Sequence, residues 1–215
     1  MGRAVGIQQL PGVVRWLVRQ EIDMWRSLFL WLGRRRPGLR PGVTAYPYVA
    51  IVRPALWAFI VGSAIEVLAV HLLLQRWPAI QLPALVLGIW GLLWMLGMLG
   101  AVTVYPHLVG DDGVRLRHGS AVDLPIAWTD IASVRSTRHD YEGMRRIRVE
   151  EGDSPVLALT QLGQTNVEIR LHAELTPALA RGRTGVSSVR VYADDARALV
   201  SALRAGAVES PRATP

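Results

Sequence analysis

Two residue types are missing from this 215-residue chain: it has no cysteine, and all 24 of its basic residues are arginine. The missing cysteine excludes a disulfide scaffold, a thiol enzyme and a zinc site built on thiolates. The missing lysine has two readings, a genomic bias toward GC-rich codons or selection for bidentate phosphate contacts. The second would not purge lysine from every position, so the bias is preferred. Nucleophile elbows, phosphate-binding loops and paired-acid motifs are also absent, so nothing here points to an enzyme or a cofactor. The first 50 residues lack a short apolar core followed by a small-residue cleavage site, so no cleavable signal peptide is expected.

What is present in abundance is apolar length. Residues 54–74 and 80–104 form two apolar runs joined by the short polar link Gln75–Ala79. About 20 helical residues cross the hydrocarbon core of a bilayer, so each run is long enough to span it. The link permits only a tight return, and the chain reads as a transmembrane hairpin. Charge orients it. Residues 1–53 hold nine arginines against Glu21 and Asp23, while Arg76 is the single arginine between the runs. Positive charge beside a span stays in the cytoplasm, which places both termini there and Gln75–Ala79 outside the cell membrane.

Residues 10–32, after the helix-start proline Pro11, have helical periodicity, with Trp16, Trp25 and Trp31 interleaved with Arg15, Arg19 and Arg26. Tryptophan and arginine on one helix suit a lipid interface, where rings sit at headgroup depth and guanidinium groups meet phosphate. The alternative is a helix packed on the soluble domain. The run Arg34, Arg35 and Arg36, followed by Pro37-Gly38, ends the helix and starts a linker. Beside a span it reads as a topology and lipid signal, and nucleic acid is not expected as a partner.

Small residues occur at helical spacing in the spans: Ala58, Gly62 and Ala69 with Glu66 in the first, Ala84, Gly88, Gly91, Gly97 and Gly100 in the second. Such faces let helices approach closely in lipid, and the two spans are expected to meet through them. Glu66 lies about halfway through the first span. A carboxyl there is costly and by default functional. It is expected to bond Ser63 or Trp90, to serve an intramembrane partner, or to relay protons.

After Val104 the pattern changes to period-two alternation broken by turn pairs. Candidate strands are 106–109, 114–118, 121–126, 131–137, 144–150, 155–160, 166–171 and 186–192, with Asp111-Asp112-Gly113 as a hairpin turn. Asp194 or Asp195 caps a final helix that presents Ala196, Leu199, Val200 and Leu203 inward. The expected class is α+β: a small antiparallel barrel or sandwich over 105–205 closed by the last helix, with a loose tail from Gly206. His107, Asp111, Asp112 and His118 can be drawn as a metal set, but neighbours on one hairpin do not all converge, so no metal is expected. His139-Asp140 reads as a loop between strands.

The segment Gly113-Val114-Arg115-Leu116-Arg117-His118-Gly119, followed by Leu124-Pro125-Ile126-Ala127-Trp128-Thr129-Asp130-Ile131, resembles bacterial pleckstrin-homology-like (PH-like) domains. Tyr105-Pro106-His107 directly after the second span is similar to small actinobacterial membrane proteins of this kind. The resemblance implies a membrane-tethered barrel with a C-terminal helix and no shared chemistry. Eukaryotic relatives bind phosphoinositides through a basic pocket, for which Arg115 and Arg117 would be the match; they share one exposed strand face, and a solvated face is the preferred reading because Asp111, Asp112 and Asp123 cancel the field. The expected function is a non-enzymatic module that binds a protein partner at the membrane surface. The alternatives are an accessory subunit joined through the hairpin, with homo-oligomers allowed, and an anionic-lipid sensor.

Overall fold

The computed structural model describes residues 12–179, 182–183 and 185–209. Pro11, the side chains of Arg15 and Trp16, and tail residues 210–215 lie outside that description. The chain divides into two compact units, one formed by residues 1–35 and 56–104, the other by residues 36–55 and 105–215.

The first unit is helical: α1 (Gly12–Leu32), α2 (Arg53–Leu73) and α3 (Pro78–Val104). Both α2 and α3 are long and apolar enough to cross a membrane. A 3-10 turn at Leu74–Arg76 joins them, and Trp77 alone separates that turn from α3. Gln81 braces the return by donating its Nε2–H to the His71 carbonyl at 3.0 Å. Val67 of α2 lies against Gly88 of α3, where a Cβ would come within 2.6 Å of it. These two contacts fix an antiparallel pair.

The other small residues do not serve this pair. Gly97 meets Met24 of α1, and Gly100 meets the Ser27 carbonyl and Trp31. The contacts rise together in sequence, so α1 and α3 run in the same direction. Met24, Ser27 and Leu28 are buried against this seam. Gly88 and Gly97 are nine residues apart, which is half a turn around a helix. α2 and α1 therefore flank α3 on opposite faces. This revises one expectation: α1 packs along α3, and the glycines of α3 receive mainly α1 where α2 was expected.

The second unit carries all the strands among the described residues. β1 (Thr44–Tyr46), β2 (His107–Gly110), β3 (Gly113–His118) and β4 (Val122–Ala127) form one antiparallel sheet in that order. Asp111 and Asp112 make the two-residue hairpin loop, closed by the Gly110–Gly113 pair. After a 3-10 turn at Trp128–Asp130 come β5 (Ile131–Asp140), β6 (Ile147–Glu150), β7 (Val156–Leu159) and β8 (Gln164–Leu175). The short pair β9 (Ala178–Leu179) and β10 (Gly182–Arg183) precedes β11 (Val186–Val191) and the last helix, α4 (Ala196–Glu209). The second sheet has the order β5-β8-β11-β7-β6. It is mixed, because β11 pairs with β7 in parallel.

One register row shows how period-two alternation builds the core. Val134, Ile169, Val189 and Leu157 are successive neighbours on β5, β8, β11 and β7. All four are buried, and Val114, Leu116, Leu124 and Ile126 of the first sheet join them with Leu199 and Leu203 of α4 in one cluster. The sheets are not closed into a barrel, since no strand pairing joins β4 to β5. Trp128 fills that corner and donates its indole N–H to the Asp111 carbonyl at 2.8 Å. α4 covers it, with Gly206 so close to the Trp128 ring that a Cβ would overlap it. Residues 206–209 are thus the end of a packed helix and not part of a loose tail.

Candidate interaction site

The segment before α2, residues 36–55, belongs to the second unit. β1 pairs with β2 in the register Thr44–Val109 and Tyr46–His107. Asp194 accepts hydrogen bonds from the Val49 and Ala50 amides at 3.1 and 2.9 Å. The companion residue Asp195 is the N-cap of α4, accepting from Ala198 at 2.9 Å. Residues 36–50 therefore act as a strap across the first sheet. Spacing alone gave no sign of it, because three residues of β1 between two turns carry almost no periodicity.

Under the strap lies a buried polar cluster. Tyr48 is buried and accepts from the Gly119 amide at 2.7 Å. Its ring lies 4.9 Å from that of His107 and stacks on that of His118 at 5.7 Å. His107 Nδ1 accepts from the Arg117 amide at 3.1 Å, which leaves Nε2–H to donate to the Tyr192 carbonyl at 3.0 Å. Burial pushes His107 and His118 down to about 4 and Tyr48 up to about 12. Both imidazoles are neutral at pH 7 and act as structural hydrogen-bonding and stacking groups. Among the described residues no three acidic or histidine side chains are placed to hold a metal ion.

Arg115 and Arg117 do not share an exposed face. Arg115 is exposed and engaged side-on by Asp123, at 3.0 and 2.8 Å. Arg117 is 4% exposed, donates to the Pro37 carbonyl at 2.7 Å and lies 3.5 Å from Asp123. The strap covers one guanidinium and a carboxylate occupies the other, so the pair presents no open basic pocket.

The strap and the β2–β3 hairpin enclose a groove of about 980 Å³. Leu39, Pro41, Val43 and Pro125 give it an apolar lining, and Asp111, Asp112 and Asp130 stand on its rim. All three carboxylates are exposed, and no ion pair among the described residues involves them. The one rim cation not held by a carboxylate is Arg40. The groove therefore joins an apolar surface to a surplus of negative charge.

The outer face of the second sheet carries a separate network. Glu168 accepts from Arg190 at 2.9 Å and from Arg170 at 3.0 Å. Burial works to raise its carboxyl, but the hydrogen bonds and charges of Arg190 and Arg170 outweigh that and hold it below the usual range. Arg190 reaches on to Glu150 at 3.1 Å. His139 is a β5 residue, not a loop residue, and its Nε2 lies 3.4 Å from Glu168. The bulges that carry β5 on to Asp140 hide this extension from a period-two reading.

In the helical unit, Trp25 donates to Glu21 at 2.7 Å and meets Trp90 edge-on at 5.3 Å. Trp90 is thus engaged by α1, and no hydrogen bond among the described residues joins Glu66 to Trp90 or Ser63. Ser63 is half-buried, whereas Glu66, Gly62, Ala58 and Ala69 are exposed on the side of α2 away from Val67. A Cβ at Gly62 would meet nothing within 4 Å. The face expected to meet α3 is open. Arg19, Arg26, Arg34, Arg35 and Arg36 are exposed as well.

No protein family, curated protein or solved structure matches this chain.

Proposed function

We propose that this protein is a membrane-tethered, non-enzymatic interaction module of PH-like type, and that its groove binds an extended segment of a protein partner at the cytoplasmic face of the cell membrane. The groove carries this reading. An apolar lining lets a partner bury side chains, and the rim of Asp111, Asp112 and Asp130 selects one with basic residues. The same rim disfavours anionic lipid, and the engagement of Arg115 and Arg117 removes the basic pocket a headgroup would need. Two apolar helices supply the tether. The arginines at 34–36, 40 and 53 favour the cytoplasmic side for the strap and the strands that continue from it.

A photoreactive side chain at Leu39 or Pro125, in the full chain in its native membrane, tests this. Protein adducts are expected at both positions and not at Arg135 on the other sheet. Val43→Trp, which fills the groove, should abolish them. Adducts with lipid alone, or equal protein adducts at Arg135, would overturn the reading.

A further inference from the structure

Among the charged groups of the helical unit without a partner among the described residues are Arg19 and Glu66, and the helix registers bring these two to one level. Glu66 precedes Val67, which meets Gly88, so Glu66 stands beside α3 near residue 88. On the other flank Met24 meets Gly97, and Ser27 meets Gly100. Five residues before Met24, Arg19 stands beside α3 near residue 92. At 1.5 Å per residue the two levels differ by roughly 6 Å, within the reach of an arginine side chain. Arg26 lies near residue 99, roughly 15 Å away, and is too far along the axis.

Both groups face outward. Arg19 falls on the side of α1 away from Met24, Ser27 and Trp31. Glu66 lies about a quarter-turn from Val67, beside the open stripe of Ala58, Gly62 and Ala69. Because α1 and α2 flank α3 on opposite faces, they do not meet each other within one copy. Charges at bilayer depth are rare and occur paired. The nearest acids on α1 itself are Glu21, which accepts from Trp25, and Asp23, with which Arg19 forms no ion pair in the structure.

We infer that copies of this chain associate head to tail in the membrane plane, with Arg19 of one copy paired to Glu66 of the next. The small residues beside Glu66 let the neighbouring α1 approach closely. Such a contact is heterologous, so it builds a closed ring or an open row and not a two-fold dimer. The inference rests on α2 and α3 lying in the membrane.

The cysteine-free chain makes the test direct. Two differently tagged full-length copies, Ile22→Cys and Gly62→Cys, which lie beside the pair and leave it intact, are co-expressed and treated in native membranes with a short bis-maleimide. The expected product is a cross-link carrying both tags, several-fold stronger than that from Ile22→Cys with Trp57→Cys, a control on another side of α2. In native-nanodisc sizing, Glu66→Leu or Arg19→Gln should weaken association roughly tenfold, the scale of one intramembrane polar contact. The exchange of Arg19→Glu with Glu66→Arg should recover it, and an unchanged circular dichroism spectrum shows that the variants fold. A single copy in every sample, a cross-link equal to the control, or a cross-link from position 62 only to another protein would overturn the pairing. Release of the unmodified protein by alkaline carbonate would overturn the membrane reading itself, separately from the pairing.

Discussion

Lowering the pH should loosen the second unit through the two histidines packed against Tyr48, and the effect can be halved by one substitution. His118 and His107 titrate near 6.5 when exposed and at about 4 in the fold, where burial disfavours the imidazolium. The Tyr192 carbonyl favours a charged His107, but burial outweighs it. Tyr48 is neutral, Arg117 opposes the charging of His107, and Arg146 and His107 oppose that of His118. Between pH 6.5 and 4 the unfolded chain binds protons that the folded chain does not, so stability is complete above 6.5 and falls with pH through this window. At pH 5 each histidine costs about 2 kcal/mol, roughly 4 kcal/mol together, against a typical total of about 5–15 kcal/mol. His118→Phe keeps the ring stack, and the His118 ring makes no hydrogen bond among the described residues. The variant should match the wild type at pH 7.5 within about 1 kcal/mol. It should lose about 2 kcal/mol less than the wild type on going to pH 5. Urea unfolding of the full chain in detergent at both pH values reads this, and carboxylates such as Glu168 contribute equally to both proteins. Superimposable acid profiles would show that His118 is not charged on unfolding and would refute the argument.

Gly206→Ala should destabilise the second unit by about 1–3 kcal/mol, because the methyl group overlaps the Trp128 ring and both elements are held from behind; thermal unfolding measures it. Gly100→Leu should pry α1 from α3 and expose the α1 end to protease, since a Cβ there already comes within 2.9 Å of the Ser27 carbonyl. Gly91→Leu should change nothing in the same digest, because a Cβ at Gly91 meets nothing within 4 Å.

The sequence revealed most where one periodicity ruled a long stretch. Two apolar runs became α2 and α3, and alternation from His107 to Ile126 became a hairpin sheet with its Asp111-Asp112 loop in place. It revealed least where contact depends on partners distant in the chain. Nothing local says that Thr44–Tyr46 will pair with His107–Val109, or that Asp194 will bind the amides of Val49 and Ala50. Glycines advertise a close approach without naming the helix that makes it, which is why Gly97 and Gly100 were assigned to α2 and found against α1. Arg117 shows the same limit. Alternation placed it on the face of Arg115 correctly, but burial was decided by a strap 80 residues away in sequence.

That strap constrains topology. β1 precedes the apolar hairpin and β2 follows it, yet Tyr46 pairs with His107 and Thr44 with Val109. Paired strands must lie in one compartment, so the chain between them crosses a bilayer an even number of times. If α2 spans, α3 must return, and one helix in the membrane with the other in water is incompatible with the sheet. The arginines then choose the side, because Arg34, Arg35, Arg36, Arg40 and Arg53 precede the hairpin and Arg76 alone lies at its turn. Single cysteines at Ala79 and Ser120, both exposed, put this to the test in intact cells. An impermeant maleimide should label the first and spare the second until the membrane is opened. Labelling of Ser120→Cys alone would invert the orientation. Labelling of both in sealed cells would place the sheet and the turn on one side, and α2 and α3 would not span.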